Sequence, residues 1–179
     1  MSHLPIWYTS QLDAELCDEV VAELSQKQTI DAALGQEGKE MNLETRKTKV
    51  HFAEAGYWLE EIFRDFAARA NAECKWDYDV TGAERIQFAE YSVGHHYTWH
   101  TDTFTLSGAP EDRKITIVCL LNDEFEGGDF EVRLYGDYKA PMKKGTLLAF
   151  PSILEHRVTP VLSGTRYSAT MWFNGPRMR

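Results

Sequence analysis

Hydrophobic positions along the chain follow two different periods. In the first third they recur every three to four residues, the spacing of one helix face. Leu12, Leu16, Val20 and Leu24 make one such stripe, running to about Gln26, with Ser10 placed to cap it and Asp13 in its first turn. Residues 53–73 make the stronger one, with Trp58, Leu59, Ile62, Phe63, Phe66, Ala67 and Ala70 on a single face. A short apolar run at residues 4–9 predicts a first strand, and residues 46–52 alternate loosely enough for another. Between them, residues 27–45 carry Gly35, Gly38, Asn42 and many charges without periodicity. They predict a long surface loop, either a lid over a site or a segment without fixed structure.

From Trp76 onward the period falls to two, the alternation of a half-buried strand. Trp76, Tyr78 and Val80 alternate, Gly82 marks a turn, and residues 84–91 alternate again. Residues 113–122 are apolar on both faces, as in a central strand. Gly127-Gly128 turns into residues 129–134, and residues 146–150 form a buried strand ended by Pro151. Residues 156–161 and 166–173 are the last strands, split by a Ser163-Gly164 turn. Two helices followed by many short strands predict a mainly β sandwich or jelly roll, with both helices packed on a sheet.

Composition narrows the class of partner. The 179 residues suggest one domain, large enough to bury a core without staples. A net charge of −9 argues against a nucleic-acid surface, which needs clustered Lys and Arg. Cys17, Cys74 and Cys119 are odd in number and far apart, so free buried thiols in a reducing compartment are expected. No signal peptide or apolar span is visible, and a cytoplasmic location away from membranes is the expectation.

The candidate chemistry starts at His100 and Asp102. Residues two apart on a strand share a face, so an imidazole and a carboxylate would lie side by side. His156, after a Pro-Ser-Ile-Leu-Glu turn, is the candidate third ligand. Two imidazoles and one carboxylate leave open positions on an octahedral ion, the donor set of non-haem Fe(II) oxygenases. His95 and His96 are weaker candidates, one of which would border the pocket, and His51 lacks partners. Arg166 with Ser168 on the same face offers a guanidinium fork and a hydroxyl for a carboxylate, across the turn on a strand neighbouring that of His156. Tyr91 and Thr116 are further candidate hydrogen-bond donors to that anion.

The ordered set formed by Gln87–Gly94, Tyr97-Thr-Trp-His100-Thr-Asp102, Arg113–Asn122, Glu126-Gly-Gly-Asp-Phe130, Lys144–Ser152, His156–Val161 and Gly164-Thr-Arg166-Tyr-Ser168 resembles the catalytic core of the 2-oxoglutarate/Fe(II)-dependent dioxygenases, and within them the prolyl-4-hydroxylase-like, PKHD-type group. The resemblance spans about residues 86–173. It implies a double-stranded β-helix (76–179) with helical support and a candidate lid loop in 1–75. It implies iron on His100, Asp102 and His156, and 2-oxoglutarate on Arg166 with Ser168, Tyr91 or Thr116. Many prolyl hydroxylases carry Lys where Arg166 stands. Dioxygen would be the other cosubstrate, with ascorbate a candidate additional cofactor. The implied reaction hydroxylates an unactivated C–H bond, on a protein or peptide (prolyl among them), with release of succinate and carbon dioxide. The alternatives are the same chemistry on a free amino acid or other small molecule, and a non-enzymatic metal-binding jelly roll. Oligomeric state is not legible.

Overall fold

The computed structural model describes residues 5–24, 26–27, 29–31, 44–104 and 110–177. In chain order the elements are β1 (Tyr8–Gln11), α1 (Ala14–Leu24), β2 (Ile30–Asp31), β3 (Arg46–Lys47), β4 (Lys49–Phe52), α2 (Leu59–Glu73), β5 (Gly82–Ala83), β6 (Gln87–Tyr91) and β7 (His96–His100). They continue as β8 (Glu111–Leu120), β9 (Phe125–Gly127), β10 (Phe130–Arg133), β11 (Asp137–Lys139), β12 (Thr146–Pro151), β13 (Glu155–Val158), β14 (Val161–Gly164) and β15 (Arg166–Pro176). The larger sheet runs β1-β12-β8-β15-β6-β4-β2, with β5 added to β15. The smaller runs β11-β10-β13-β7-β3, and β14-β9 form a separate ribbon. This is the jelly-roll arrangement, mainly β with two supporting helices.

The larger sheet separates two cores because β8 is apolar on both faces. Ile115, Ile117, Cys119 and Leu121 point to the helices, where they pack with Phe63, Phe66 and Ala70 of α2 and Cys17 and Val20 of α1. Val118 points the other way, into an inter-sheet core with Ala89, Tyr91, Phe130, Val132, Leu148, Phe150 and Val158. The first core braces the sheet, and the second surrounds the cavity. All three cysteines are buried and free. Among the described residues no helix is long and apolar enough to cross a membrane.

Several expectations are corrected. Ser10 does not cap α1, because it lies in β1. Asp13 sits at the helix start instead, its carboxylate accepting the Glu15 N–H. The second helix begins at Leu59 and not at residue 53. Residues 46–52 are two strands in different sheets, and the chain changes sheet at Thr48, whose buried hydroxyl donates to the Glu90 carbonyl. The first 75 residues therefore supply strands to both sheets as well as helices. Trp76–Val80 alternates without forming a strand, because Lys75 and Asp77 take positive φ and bend the chain. Gly82 is not a turn but part of β5. Ser163-Gly164 lies in β14, paired with β9. Most of the candidate lid, residues 32–43, lies outside the described residues. Its near flank, β2, pairs with β4 at the sheet edge.

Candidate active site

The metal triad is assembled by strand register. β7 and β13 are antiparallel neighbours in the smaller sheet, and His100 and His156 are direct cross-strand partners. This explains how a residue 56 positions further along the chain reaches the first. Asp102 is not on the strand with His100, which ends β7. It lies two residues beyond, held by its own N–H donating to the Ser152 carbonyl. The shared face survives, although the strand alternation invoked for it stops short of Asp102.

His100, Asp102 and His156 bring one ligand atom each to within 4.8 Å of one another. His156 Nε2 is 3.4 Å from Asp102 Oδ2. His100 Nε2 is 3.8 Å from Asp102 Oδ1. An ion about 2.1 Å from each donor would put adjacent donors about 3 Å apart, so the three side chains would draw inward around it. His100 Nδ1 lies 2.7 Å from the Thr98 carbonyl, and His156 Nδ1 lies 3.0 Å from that of Leu154. A carbonyl only accepts, so each Nδ1 carries the proton and each Nε2 lone pair faces the centre. Two imidazoles and a carboxylate around an open cavity fit Fe(II) with free coordination positions.

Electrostatics favour ligation. Burial and the neighbouring His156 hold the His100 imidazole down to about 3, so it is neutral in the folded protein near pH 7. Burial alone would raise the Asp102 carboxyl, but the facing His156 and His100, with Arg113, bring it below its usual range. The His100 shift predicts a pH dependence. Unfolded His100 takes its proton near pH 6.5, the folded one near 3. Between these values the unfolded state binds more protons, so the metal-free protein loses stability as pH falls through that window. Thermal melts of metal-stripped protein should show Tm falling from pH 7 to pH 5, with a shallower slope in His100→Gln. Equal slopes would remove His100 as a cause.

Thr116 was expected to bind the cosubstrate. Instead its hydroxyl donates to Asp102 Oδ2 at 2.8 Å and lies 2.9 Å from the Ser152 hydroxyl. That hydrogen bond is placed to orient the carboxylate. Thr116→Val keeps the shape and removes the hydrogen bond. It should weaken metal binding by about 10- to 100-fold, as loss of such supporting bonds does elsewhere. A metal titration of the folded variant checks this, and unchanged affinity would leave Thr116 as packing only.

Arg166 is 1% exposed. Its Nη1 donates to Ser168 Oγ at 3.0 Å, while its Nε has no hydrogen-bond partner among the described residues. No described carboxylate pairs with it. Burial pushes the guanidinium below its ordinary pKa, against the pull of Tyr91 and Asp129. The guanidinium lies 5.3 Å from the Tyr91 ring centre. Gly128, at φ +59, makes room for it, since a Cβ there would come within 2.9 Å of Arg166 Cδ. Arg166 and His156 were expected on neighbouring strands, but β15 and β13 belong to opposite sheets. The two line the same cavity from its two walls.

That cavity is about 780 Å³ and is lined by the triad, Tyr91, Thr116, Arg166 and Ser168. It is also lined by Tyr97, in the stretch read from sequence as bordering the substrate, and by Arg46, Gln87, Arg113 and Trp172, which sequence reasoning did not single out. Tyr97 stacks on His100 with ring centres 3.4 Å apart. Its position three residues before His100, inside the quoted motif, was the available signal. Ser152 was quoted within a motif without a role, and its tie to Asp102 needs the fold to be seen. His95, His96 and His51 do not line the cavity.

Residues 86–174 match the sequence profile of the 2OG-Fe(II) oxygenase superfamily. A PKHD-type hydroxylase of Synechococcus sp. (strain CC9605) is 36% identical over 88 residues, which are 45% of this chain and 37% of that protein. Another, from Picosynechococcus sp. (strain ATCC 27264), is 32% identical over 117 residues, covering 64% of this chain and 52% of that one. The chain thus spans about half the length, or less, of these relatives. Among solved structures, a Pseudomonas putida prolyl-4-hydroxylase superposes with TM-score 0.73 at 19% identity, over 96% of this chain and 93% of that one. A Trichoplax adhaerens prolyl hydroxylase, solved with a hypoxia inducible factor peptide fragment, gives 0.76 at 18% identity, over 94% and 83%. At such identities the two structures establish the fold alone. With this fold, the His-Asp-His triad and the profile match, the chain belongs to the 2OG-Fe(II) oxygenase superfamily, with Fe(II) and 2-oxoglutarate as its cofactors.

Proposed function

We propose that the protein is a 2-oxoglutarate-dependent dioxygenase that hydroxylates an unactivated C–H bond of a protein or peptide, prolyl substrates among them. 2-Oxoglutarate, dioxygen and substrate C–H would become succinate, carbon dioxide and the hydroxylated product. The observation that carries this reading is Arg166: a buried guanidinium whose Nε has no partner among the described residues, in the cavity that also holds an open metal triad. A buried cation without a partner is costly, and an anionic ligand relieves it. A metal-binding jelly roll without catalysis gives that cation no purpose.

Fe(II) held by His100, Asp102 and His156 would supply activation of dioxygen coupled to oxidation of 2-oxoglutarate. The chain's own groups do the rest. Both imidazoles present fixed lone pairs, and Asp102 offsets part of the metal charge. Arg166 grips the distal carboxylate in a charge-assisted fork, and the Ser168 hydroxyl, which accepts from Arg166, keeps its own proton to donate to the same anion. Tyr91 stands beside that pair, directly across the strand from Arg166. Tyr97, Phe130, Val118 and Trp172 wall the cavity and exclude water.

The relatives named PKHD-type hydroxylases and the peptide complex of the Trichoplax enzyme support a peptide substrate. The same chemistry on a free amino acid or other small molecule is the second reading. It is favoured by Arg46, a further guanidinium in the cavity without an ion-pair partner among the described residues. Anaerobic addition of Fe(II) and then 2-oxoglutarate should give a weak visible charge-transfer band. Folded protein that binds both without the band would sink the assignment. A screen for succinate formation stimulated by peptides or by amino acids then separates the two substrate classes.

A further inference from the structure

We propose that the end of the cavity remote from Arg166 is a second anion site, formed by Arg46, Gln87 and Thr170, that receives a carboxylate of the substrate. The inference rests on the hydroxylase reading above and narrows its substrate class.

The cavity floor is a two-stranded ribbon of β6 and β15. Its registered pairs are Arg166 with Tyr91, Ser168 with Ala89, and Thr170 with Gln87, and all six residues line the cavity. From the Arg166 pair to the Thr170 pair is four residues, or about 13 Å at strand rise. Over the far pair stands Arg46, from β3 in the opposite sheet. Its Nη2 donates to Gln87 Oε1 at 2.7 Å, and its guanidinium lies 4.7 Å from the Tyr97 ring centre. Its Nε is buried without a hydrogen-bond partner among the described residues. Asp31 lines the same cavity, yet no ion pair joins it or any other described carboxylate to Arg46.

Arg113 shows what a satisfied arginine looks like here. Its Nε and Nη2 donate to the two Glu84 oxygens, each at 2.6 Å, and its guanidinium stacks 3.9 Å from the Trp172 ring centre. Among the described residues Arg46 has no such carboxylate. The cavity therefore holds two guanidiniums with unmet donors, one towards each end. In the hydroxylase reading the keto-acid end of 2-oxoglutarate would go to the metal, so its one remaining carboxylate can meet only one of the two. With Arg166 assigned to the cosubstrate, Arg46 is left for the substrate. Arg46 lies on Tyr97, and Tyr97 lies on His100. A carboxylate held by Arg46 thus starts beside the metal ligands, and the remainder of the substrate extends along the cavity towards them. The Gln87 side-chain amide and the Thr170 hydroxyl add neutral donors to the same anion. The carboxylate has two sources, the α-carboxylate of an amino acid or chain terminus and the side chain of Asp or Glu.

The test uses the full chain loaded with Mn(II) and one equivalent of 2-oxoglutarate, without turnover. Calorimetry measures three probes: N-acetyl-L-proline, its amide N-acetyl-L-prolinamide, and the α-amide of N-acetyl-L-aspartate. At least one carboxylate probe should bind at least about tenfold more tightly than the amide, as expected for a charge-assisted contact. Which of the two does so identifies the source. Arg46→Gln should erase the preference, Arg46→Lys should keep part of it, and 2-oxoglutarate affinity should stay within about twofold in both. Carboxylates that bind no better than the amide overturn the proposal, as does a preference that survives in Arg46→Gln. Failure of the unaltered protein to bind 2-oxoglutarate would count against the hydroxylase reading instead, and it is read separately.

Discussion

Asp102→Ala is expected to abolish turnover and to weaken divalent-metal binding by more than about 100-fold, beyond the loss seen when a merely supporting contact is removed. Three roles end with that one carboxylate. It is the single anionic donor of the triad. It faces both imidazoles, with oxygens 3.8 Å and 3.4 Å from their Nε2 atoms. It also accepts the Thr116 hydroxyl. Without it, two neutral imidazoles remain, a set that binds metal weakly and leaves the ion's charge unbalanced. The fold should survive, because Asp102 lies beyond the end of β7 and outside both apolar cores. Titration with Mn(II) or Co(II), beside a circular dichroism spectrum, separates the two effects. A folded variant that still binds metal at native affinity would remove Asp102 from the triad.

Replacing Arg166 has the second largest expected effect, and it divides differently. Arg166→Met should raise the 2-oxoglutarate dissociation constant by about 10- to 150-fold, the worth of about 1.5–3 kcal/mol for hydrogen bonds to a charged group. Metal affinity should not change, since Arg166 reaches the cavity from the opposite sheet. Stability of the ligand-free protein should hold or rise. Arg166 is fully buried, and its Nε lacks a partner among the described residues. Exchange of a poorly compensated buried charge for an apolar side chain of similar reach is often neutral or stabilising. Arg166→Lys should retain part of the affinity, because a point charge remains where the fork was. Binding titrations and denaturant melts on the same three proteins check both halves. An unchanged 2-oxoglutarate requirement in Arg166→Met would mean that another residue anchors the cosubstrate.

That the candidate residues come together in one cavity was legible in sequence, but the reasons for their positions were only partly so. His100, Asp102 and His156 could be named because ligand chemistry restricts the residue types, and a shared motif order restricts the positions. What the pattern lacked was sheet membership. Arg166 and His156 looked like partners across a Ser163-Gly164 turn, yet those two residues pair with β9, and the chain then crosses to the other sheet. Such crossings are decided by long-range pairing, which leaves little local trace. The same holds at Thr48, where one alternating run divides between sheets. The missed strands were those without a buried face. All three residues of β11, Asp137–Lys139, are exposed, so hydrophobic alternation had nothing to record. Residues 113–122 succeeded for the opposite reason, since burial on both faces left an unbroken apolar run. Thr116, read within that run as a donor to the cosubstrate, lines the cavity but gives its hydroxyl proton to Asp102. A lone polar residue in an apolar strand signals a buried partner, and sequence did not say that the partner was Asp102.

The Nδ1 contacts of His100 and His156 go to main-chain carbonyls two residues earlier, at Thr98 and Leu154. A side chain that orients a ligand can be lost by a single substitution. A carbonyl oxygen is present whatever residue carries it. Imidazole orientation at this centre is thus insulated from point replacement at positions 98 and 154. It is exposed to whatever re-routes the chain, such as an inserted residue in either strand. Drift in the surrounding sequence can proceed widely while the two rings keep their aim, provided that strand length is conserved.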